Sequence, residues 1–121
     1  MSLSAEQLDL VSRANEVLIE TRSGDRVFQT VIWVVVDGED VLVRSVRGES
    51  GRWYQRALAN PEVALIVGNT RLEFTAVPAS DEVSVERASE ALRRKYRVGR
   101  SLDAMLVPGV LGTTLLLAPL A

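Results

Sequence analysis

The longest apolar stretch in the first half of the chain lies at residues 30–36, which read TVIWVVV and carry no charge. An uninterrupted run of β-branched and aromatic residues is typical of a strand that is covered on both faces. An Asp-Gly turn signal follows it, and residues 40–46 then continue as a second strand that carries Arg44 and Ser45 near its end. The pattern predicts the central strand of a barrel at residues 30–36 and a neighbouring strand that brings polar groups to the next loop.

Four further β-rich runs predict additional strands. They lie at residues 16–22, 63–67, 71–77 and 112–118. Ser-Gly-Asp follows the first run and Gly-Asn-Thr joins the second to the third, and both sequences favour a reversal of the chain. Because the strands come as hairpins and not as strand–helix–strand units, an antiparallel barrel is favoured over a parallel sheet. The chain is therefore predicted to be mainly β, with six antiparallel strands.

Three short helices are predicted between these strands. A capping-box pattern at Ser4 and Gln7 opens the first helix, and apolar residues recur after it at spacings of three. The second helix spans residues 53–59, because the Asn-Pro that follows stops a helix. The third begins at Ser80 or Asp81, either of which can cap it, and carries an apolar stripe. We expect that stripe to pack against the barrel.

Length and charge limit the classes of protein that the chain can represent. Its 121 residues, of which 47% are hydrophobic and 25% charged, predict one globular domain over residues 1–121. The net charge of -2 gives no general attraction to nucleic acid or to an acidic membrane. A basic cluster at residues 93–100 has no nucleic-acid-binding motif around it, so no nucleic-acid partner is predicted.

Neither end of the chain predicts export or membrane insertion. The start, MSLSAEQLDL, lacks the basic and apolar parts of a signal peptide, which predicts a cytosolic location. Residues 104–121 are uncharged, but their glycines and prolines favour a loop followed by a buried strand over a membrane span. No membrane partner is therefore expected.

The chain contains no cysteine and no histidine. Thiolate nucleophiles, disulfides, imidazole metal sites and Ser-His-Asp or Cys-His catalysis are all excluded by composition. Paired carboxylates in the turns have no feature that would separate their pKa values, so acid–base hydrolysis is not indicated either. If the protein is an enzyme, we expect a bound cofactor to supply the chemistry.

Residues 44–54 are the strongest candidate for a binding site. Arginine offers a planar fork that matches phosphate oxygens, glycine lets the backbone approach a ligand, and a helix start presents free N–H groups. The candidate phosphate ligands are Arg44, Ser45, Arg47, Gly48 and Arg52. The alternative is a solvated loop whose arginines pair with Glu39 or Glu49, and the spacing alone favours neither interpretation.

Two tryptophans receive different predictions from their surroundings. Trp33 lies inside an apolar run, which on spacing alone indicates a core residue. Trp53 and Tyr54 lie beside the basic loop, where a ring could rest against a cofactor or could pack the short helix onto the barrel. The sequence leaves these two alternatives open.

Residues 30–61, TVIWVVVDGEDVLVRSVRGESGRWYQRALANP, resemble the split-barrel superfamily that includes pyridoxamine-phosphate oxidases, flavin-binding reductases and deazaflavin-dependent nitroreductases. The resemblance is greatest to an uncharacterised bacterial branch. That branch has a T-I-W-V-V strand, an R-S-V-R-G-x-x-G-x-W loop, an R-x-K-Y-R helix end and an A-T-L-x-L closing strand. The corresponding segments here are residues 31–35, 40–53, 94–97 and 113–117, and the R-S-V-R-G-x-x-G-x-W motif occupies the last ten residues of the second segment.

The resemblance implies a six-stranded split barrel of the FMN-binding type, commonly a homodimer, that holds FMN or a deazaflavin. The ring of the cofactor would lie along Thr30, Val31, Ile32 and Trp33. Its phosphate would contact Arg44, Ser45, Arg47 and Arg52, beside Gly48, and Trp53 would close the pocket. No metal ligand and no catalytic side chain is predicted.

The function that follows from the resemblance is hydride transfer between this cofactor and a small organic substrate. The chain is shorter than a typical oxidase of the superfamily and has no strongly basic extension for a polyglutamate tail. The choice between a flavin and a deazaflavin therefore stays open. The alternative is a domain without catalysis that binds a flavin-like ligand or serves in dimerisation.

Overall fold

The computed structural model describes residues 3–97 and 99–120. Seven strands form one sheet: β1 Val17–Ser23, β2 Arg26–Ile32, β3 Val35–Asp37, β4 Asp40–Val43, β5 Glu62–Val67, β6 Thr70–Pro78 and β7 Leu115–Pro119. Five α-helices accompany them: α1 Ala5–Arg13, α2 Arg52–Ala59, α3 Glu82–Tyr96, α4 Arg100–Ala104 and α5 Pro108–Leu111. A short 3-10 helix, Gly48–Ser50, lies in the loop between β4 and α2. Across these described ranges, no helix combines the length and apolar character that crossing a bilayer requires.

The sheet is antiparallel throughout and follows the order β2-β1-β5-β6-β7-β4-β3. Strands β2 and β3 are consecutive in the chain and yet lie at opposite edges of the sheet. Only Trp33 and Val34 connect them, and two residues span too short a distance to cross a flat sheet of seven strands. The sheet is therefore curled into a barrel that is open along one side.

The prediction of six strands was wrong, because residues 30–36 do not form one central strand. The chain leaves β2 after Ile32 and enters β3 at Val35. The carbonyl oxygen of Val34 accepts a hydrogen bond of 2.6 Å from Nζ of Lys95 instead of joining the ladder. The predicted central strand is thus divided between the two edges of the sheet, and Val31 in β2 is 57% exposed.

Local signals predicted α1, α2 and α3 more accurately than the strand ends, but α4 and α5 were not predicted. Ser4 and Gln7 form the expected capping box at α1, with the Ser4 hydroxyl accepting from the Gln7 N–H. Asp81 caps α3 through its carboxylate, which accepts a hydrogen bond from the Ser84 N–H. The last strand begins later than predicted, because the hydroxyls of Thr113 and Thr114 hydrogen-bond to carbonyls of α5 and hold both residues outside the sheet.

Two hydrophobic clusters hold the elements together. The larger one fills the barrel with side chains of the sheet and of α2, among them Ile19, Leu65, Phe74, Leu115 and Trp53. The smaller one lies between the outer face of β3 and β4 and the helices α3 and α4, and contains Val35, Leu42, Ala88, Leu92 and Leu102. Burial of these side chains is the main stabilising contribution. It also fixes α3 beside the bend between β2 and β3.

Candidate functional site

A cavity of about 810 Å³ lies at the bend between β2 and β3. Its walls come from β2, the loop after β4, the start of α2 and helix α4. Cavities of roughly 300–1,000 Å³ are the usual size for small-molecule and cofactor sites. Nine of the ten predicted site residues line it: Thr30, Val31, Ile32, Trp33, Arg44, Ser45, Arg47, Arg52 and Trp53.

Gly48, the tenth predicted residue, shapes the loop and is not part of the lining. Its φ of 64° lies in the left-handed region, where side chains are disfavoured. A Cβ at this position would stand 3.0 Å from the carbonyl oxygen of Gly109. Its own carbonyl accepts a hydrogen bond of 2.8 Å from the Ser45 hydroxyl. The loop therefore requires glycine here for its conformation and packing.

Arg44 is a buried structural residue at the wall of the cavity, with only 2% of its surface exposed. Its guanidinium donates to four acceptors of the protein: Thr114 Oγ1, Ser89 Oγ, Met105 O and Val85 O, at 2.9–3.0 Å. Burial lowers the pKa of Arg44 to about 10. Since a guanidinium has five N–H groups, at most one remains for a ligand. The side chain therefore ties the loop to α3 and to the segment after α4.

Ser45 is also engaged within the protein. Its hydroxyl donates to Gly48 O, and its backbone N–H donates to Thr113 Oγ1 at 3.0 Å. A Cβ at Gly51 would overlap the Ser45 hydroxyl oxygen, so that position accepts no side chain without movement of the loop. Ser45 thus supports the loop backbone that surrounds the cavity.

Arg47 and Arg52 are the exposed arginines of the predicted loop. In residues 3–97 and 99–120, no carboxylate approaches either guanidinium within 4.0 Å. Helix α2 begins at Arg52, and Gly51 before it supplies no side-chain hydrogen bond to the first turn. A helix start with free N–H groups and two unpaired arginines favours an anion.

Arg56 is a site residue that the sequence analysis missed. It lines the cavity from the second turn of α2 and is half-buried. Its Nε donates to Thr21 Oγ1 at 2.8 Å, and its guanidinium lies 4.1 Å from the centroid of the Phe28 ring. The signal was available, because Arg56 follows Arg52 by four residues and such pairs share one face of a helix.

Trp33 forms a half-buried wall of the cavity and is not the core residue that its apolar surroundings predicted. Tyr96 of α3 stacks on it, with ring centroids 3.8 Å apart and planes 3° from parallel. The Tyr96 hydroxyl donates to Asn15 O at 2.6 Å, and burial raises the pKa of Tyr96 to about 12. The indole is therefore held in place by a ring that lies outside the cavity.

A further part of the lining comes from α4 and the residue after it. Arg100, Ser101, Ala104 and Met105 line it, and none of them was predicted. Arg100 is the one residue of the basic cluster at residues 93–100 that reaches the lining within the described part of the chain. Glu16 is the one carboxylate residue in the lining of the whole cavity within the described chain. Among the described residues, no group of His, Cys, Asp and Glu side chains could hold a metal ion.

Solved structures with this fold support the predicted superfamily. A candidate pyridoxamine 5'-phosphate oxidase from Listeria innocua superposes with a TM-score of 0.70 at 17% identity, over 96% of this chain and 92% of that one. An FAD binding protein from Mycobacterium smegmatis gives 0.64 at 17% identity, over 100% and 93%. A heme storage protein from Vibrio cholerae, HutZ, gives 0.64 at 16% identity, over 100% and 92%. At these identities the similarity shows the fold alone, a split barrel of the pyridoxamine-phosphate oxidase type.

Sequence comparison assigns the chain to a family without giving it an activity. A search of curated proteins gives no match. The pattern of one bacterial family does match, and it covers residues 7–117. With the split-barrel fold, this agrees with the uncharacterised bacterial branch that the loop motif indicated. The chain belongs to the family described as uncharacterized proteins conserved in bacteria, DUF2255.

Proposed function

We propose that the cavity binds FMN or a related flavin or deazaflavin, and that the protein is an oxidoreductase that transfers hydride between this cofactor and a small organic substrate. The observation that carries the proposal is the pairing, in one cavity, of an apolar and aromatic wall with Arg47 and Arg52, which have no carboxylate partner in the described chain.

The wall formed by β2 suits a flat heteroaromatic ring. It presents Val31, Ile32 and Trp33, with Trp53 and Met105 on other sides. Within the described chain, β2 pairs with β1 alone, so one edge of its backbone has no strand partner. Free N–H and C=O groups on that edge can hydrogen-bond to the polar edge of a ring whose faces contact apolar side chains.

The start of α2 suits the phosphate. Arg47 and Arg52 supply guanidinium forks, and the first turn of the helix supplies N–H groups and a favourable dipole. Arg56 lies one turn further along the same helix. We leave Arg44 and Ser45 out of the primary phosphate contacts, since their donors are largely used inside the protein.

The cofactor supplies hydride transfer when it is bound, and the chain supplies binding, orientation and shelter from water. This division of roles agrees with a lining that contains one carboxylate, Glu16, and with a chain that has no histidine. The same composition disfavours haem, because histidine and cysteine are the side chains that most often bind haem iron.

Titration of the purified protein with riboflavin, FMN and an oxidised deazaflavin tests the binding part of the proposal. Absorbance and cofactor fluorescence give the dissociation constants. We expect FMN to bind, and Arg47→Ala and Arg52→Ala each to weaken it about tenfold or more while riboflavin changes little. Arg26→Ala is the matched control, because Arg26 is exposed on β2 and lies outside the lining. Failure of all three ligands to bind would overturn the proposal.

Anaerobic reduction separates an enzyme from a binding domain. The loaded protein is mixed with a reduced nicotinamide or a reduced deazaflavin, and the absorbance of the bound ring is followed. Bleaching of the bound ring, and its recovery on addition of a nitroaromatic or quinone acceptor, support the oxidoreductase. A ring that binds but is neither reduced nor reoxidised supports the alternative, a domain that only holds the ligand.

We also propose that two copies of the chain associate through the open edge of the barrel. Val27 and Val31 on β2 are 51% and 57% exposed, which is unusual for valines on one strand. An edge strand with exposed apolar side chains favours association with another chain. Because Val31 also lines the cavity, a second copy on this edge would help to enclose the cofactor.

A further inference from the structure

A second groove, of about 610 Å³, adjoins the cofactor cavity along α2. It runs from the start of α2 to the turn between β1 and β2. Its lining consists of Arg22, Ser23, Gly24, Phe28, Arg52, Gln55, Arg56, Ala59 and Asn60. Phe28, Arg52 and Arg56 line both spaces. The two spaces are therefore neighbours that share a wall of two arginines and one ring.

All the charged side chains that line the groove are positive. Arg22, Arg52 and Arg56 line it, and no carboxylate does. Within the ranges that the structure describes, none of these three guanidinium groups forms an ion pair. Three unpaired cations around one concave surface concentrate a positive potential there, which favours an anionic group.

Arg56 is already held in the position that such a group would need. Its Nε is bound to Thr21 Oγ1, and its guanidinium rests on the Phe28 ring. The remaining N–H groups are on the two terminal nitrogens, for which no acceptor is found in the described chain. An arginine whose side chain is held in place before binding loses little conformational entropy when it binds an anion.

We propose that this groove binds a second anionic group of the cofactor, joined to the phosphate at Arg47 and Arg52 by a short linker. The cofactor is then an extended one, with a further phosphate or a carboxylate-bearing tail, and Arg52 and Arg56 lie between its two anionic parts. The inference rests on the proposed function of the adjoining cavity. A ligand with one phosphate occupies the cofactor cavity alone, whereas an extended ligand occupies both the cavity and the groove.

Two matched pairs of ligands test the inference: FMN with FAD, and a deazaflavin without its glutamate tail with the same deazaflavin carrying it. The dissociation constant of each is measured by fluorescence titration at one ionic strength. We expect at least one extended ligand to bind about tenfold or more tightly than its shorter partner. The pair that shows the difference identifies the tail as phosphate or carboxylate.

Variants at Arg22 and Arg26 test whether the groove is the source of the preference for the extended ligand. Arg22→Ala removes a lining residue of the groove that does not line the cofactor cavity. It should reduce the ratio between the dissociation constants of the shorter and the extended ligand to about threefold or less, and it should leave the affinity for FMN unchanged. Arg26→Ala removes the same charge from the neighbouring strand and lines neither space, so it should leave the preference intact.

Equal affinities within both pairs would overturn the inference, and so would an equal loss in the Arg22 and Arg26 variants. In either case FMN would still bind and the proposed function would stand. Failure of all flavins and deazaflavins to bind would instead overturn the proposed function itself. The two failures are therefore distinguishable in the same set of titrations.

Discussion

Arg44 and Thr114 are 70 residues apart in the chain and are joined by a buried hydrogen bond of 2.9 Å from Nε to Oγ1. The bond connects the end of β4 to the start of β7, which pair directly in the sheet. Together with the bonds to the other acceptors of this guanidinium, it fastens the loop at residues 44–51, which we propose to bind phosphate, to the body of the barrel. The loop is thus held by a residue whose guanidinium donors are largely used inside the protein.

Loss of Arg44 is expected to destabilise the protein strongly. Arg44→Ala removes the buried donor from Ser89 Oγ, Thr114 Oγ1 and Met105 O and opens a void, so the free energy of unfolding should fall by about 3–5 kcal/mol. Urea unfolding, monitored by tryptophan fluorescence, measures this free energy. Arg26→Ala, at an exposed position, should change the same quantity by less than about 0.5 kcal/mol. A similar small change in the Arg44 variant would contradict the structural role.

Gly48→Ala is expected to destabilise the loop for two reasons, its positive φ and the approach of Gly109 O to a Cβ. Gly68→Ala is the matched control, since Gly68 has a φ of 61° and open space where the Cβ would be. The control should lose about 1 kcal/mol, and Gly48→Ala should lose more, with weaker FMN binding in addition. Equal losses in the two variants would show that the Gly109 contact contributes nothing.

Tyr96 is expected to support ligand binding through Trp33, since it does not itself line the cavity. Tyr96→Ala should weaken flavin binding by about threefold to tenfold, the equivalent of one aromatic stack. Tyr96→Phe keeps the stack and should retain the affinity, although it loses the bond to Asn15. The flavin titration measures both variants. A parallel loss of affinity in the Phe variant would assign the effect to the hydroxyl and not to the ring.

Lys95 is expected to make stability increase with pH in alkaline solution. Burial lowers the pKa of Lys95 from 10.5 to about 8 in the folded protein. Between pH 8 and 10 the unfolded chain therefore binds more protons, and the free energy of unfolding rises with pH. Lys95→Met should remove the rise. Urea unfolding at several pH values measures it, and a rise of equal slope in the variant would contradict this assignment.

The window between pH 8 and 10 lies below the pH ranges in which the other groups with large pKa shifts titrate. Burial lowers the pKa of Arg44 to about 10 and raises that of Tyr96 to about 12, so both act on stability mainly above pH 10. The chain has no cysteine to titrate near pH 8. The comparison of wild type with Lys95→Met should therefore report on this one ammonium.

Association through β2 is tested at Val27, which is exposed and lies outside the cavity lining. Val27→Asp should convert a dimer to a monomer in sedimentation velocity, because it places a charge on the proposed apolar contact. Val83→Asp is the matched control, since Val83 is 69% exposed on α3. A monomeric wild type at all concentrations, or loss of the dimer in the control alone, would contradict the proposed interface.

Local signals in the sequence determined the helices α1, α2 and α3 and the basic loop, whereas α4 and α5 were not predicted. The capping residues Ser4 and Asp81 start α1 and α3, and the Gly-rich run before Trp53 starts α2. These features depend on hydrogen bonds between residues three or four apart, which the spacing of residue types reveals directly. The same spacing identified the basic loop after β4, and the family resemblance added residues 30–33. Together they located half of the cavity lining.

Tertiary structure alone decided which donors of the loop remain available. Nothing near Arg44 in the sequence indicates that acceptors 41 to 70 residues away take up its guanidinium, whereas Arg47 and Arg52 form no ion pair within residues 3–97 and 99–120. The bend that divides residues 30–36 likewise depends on Lys95, 61 residues beyond Val34. A sequence pattern records whether a position is apolar or polar, but the partner of a polar group is selected by packing of distant elements, and this selection separates structural arginines from those that can bind a ligand.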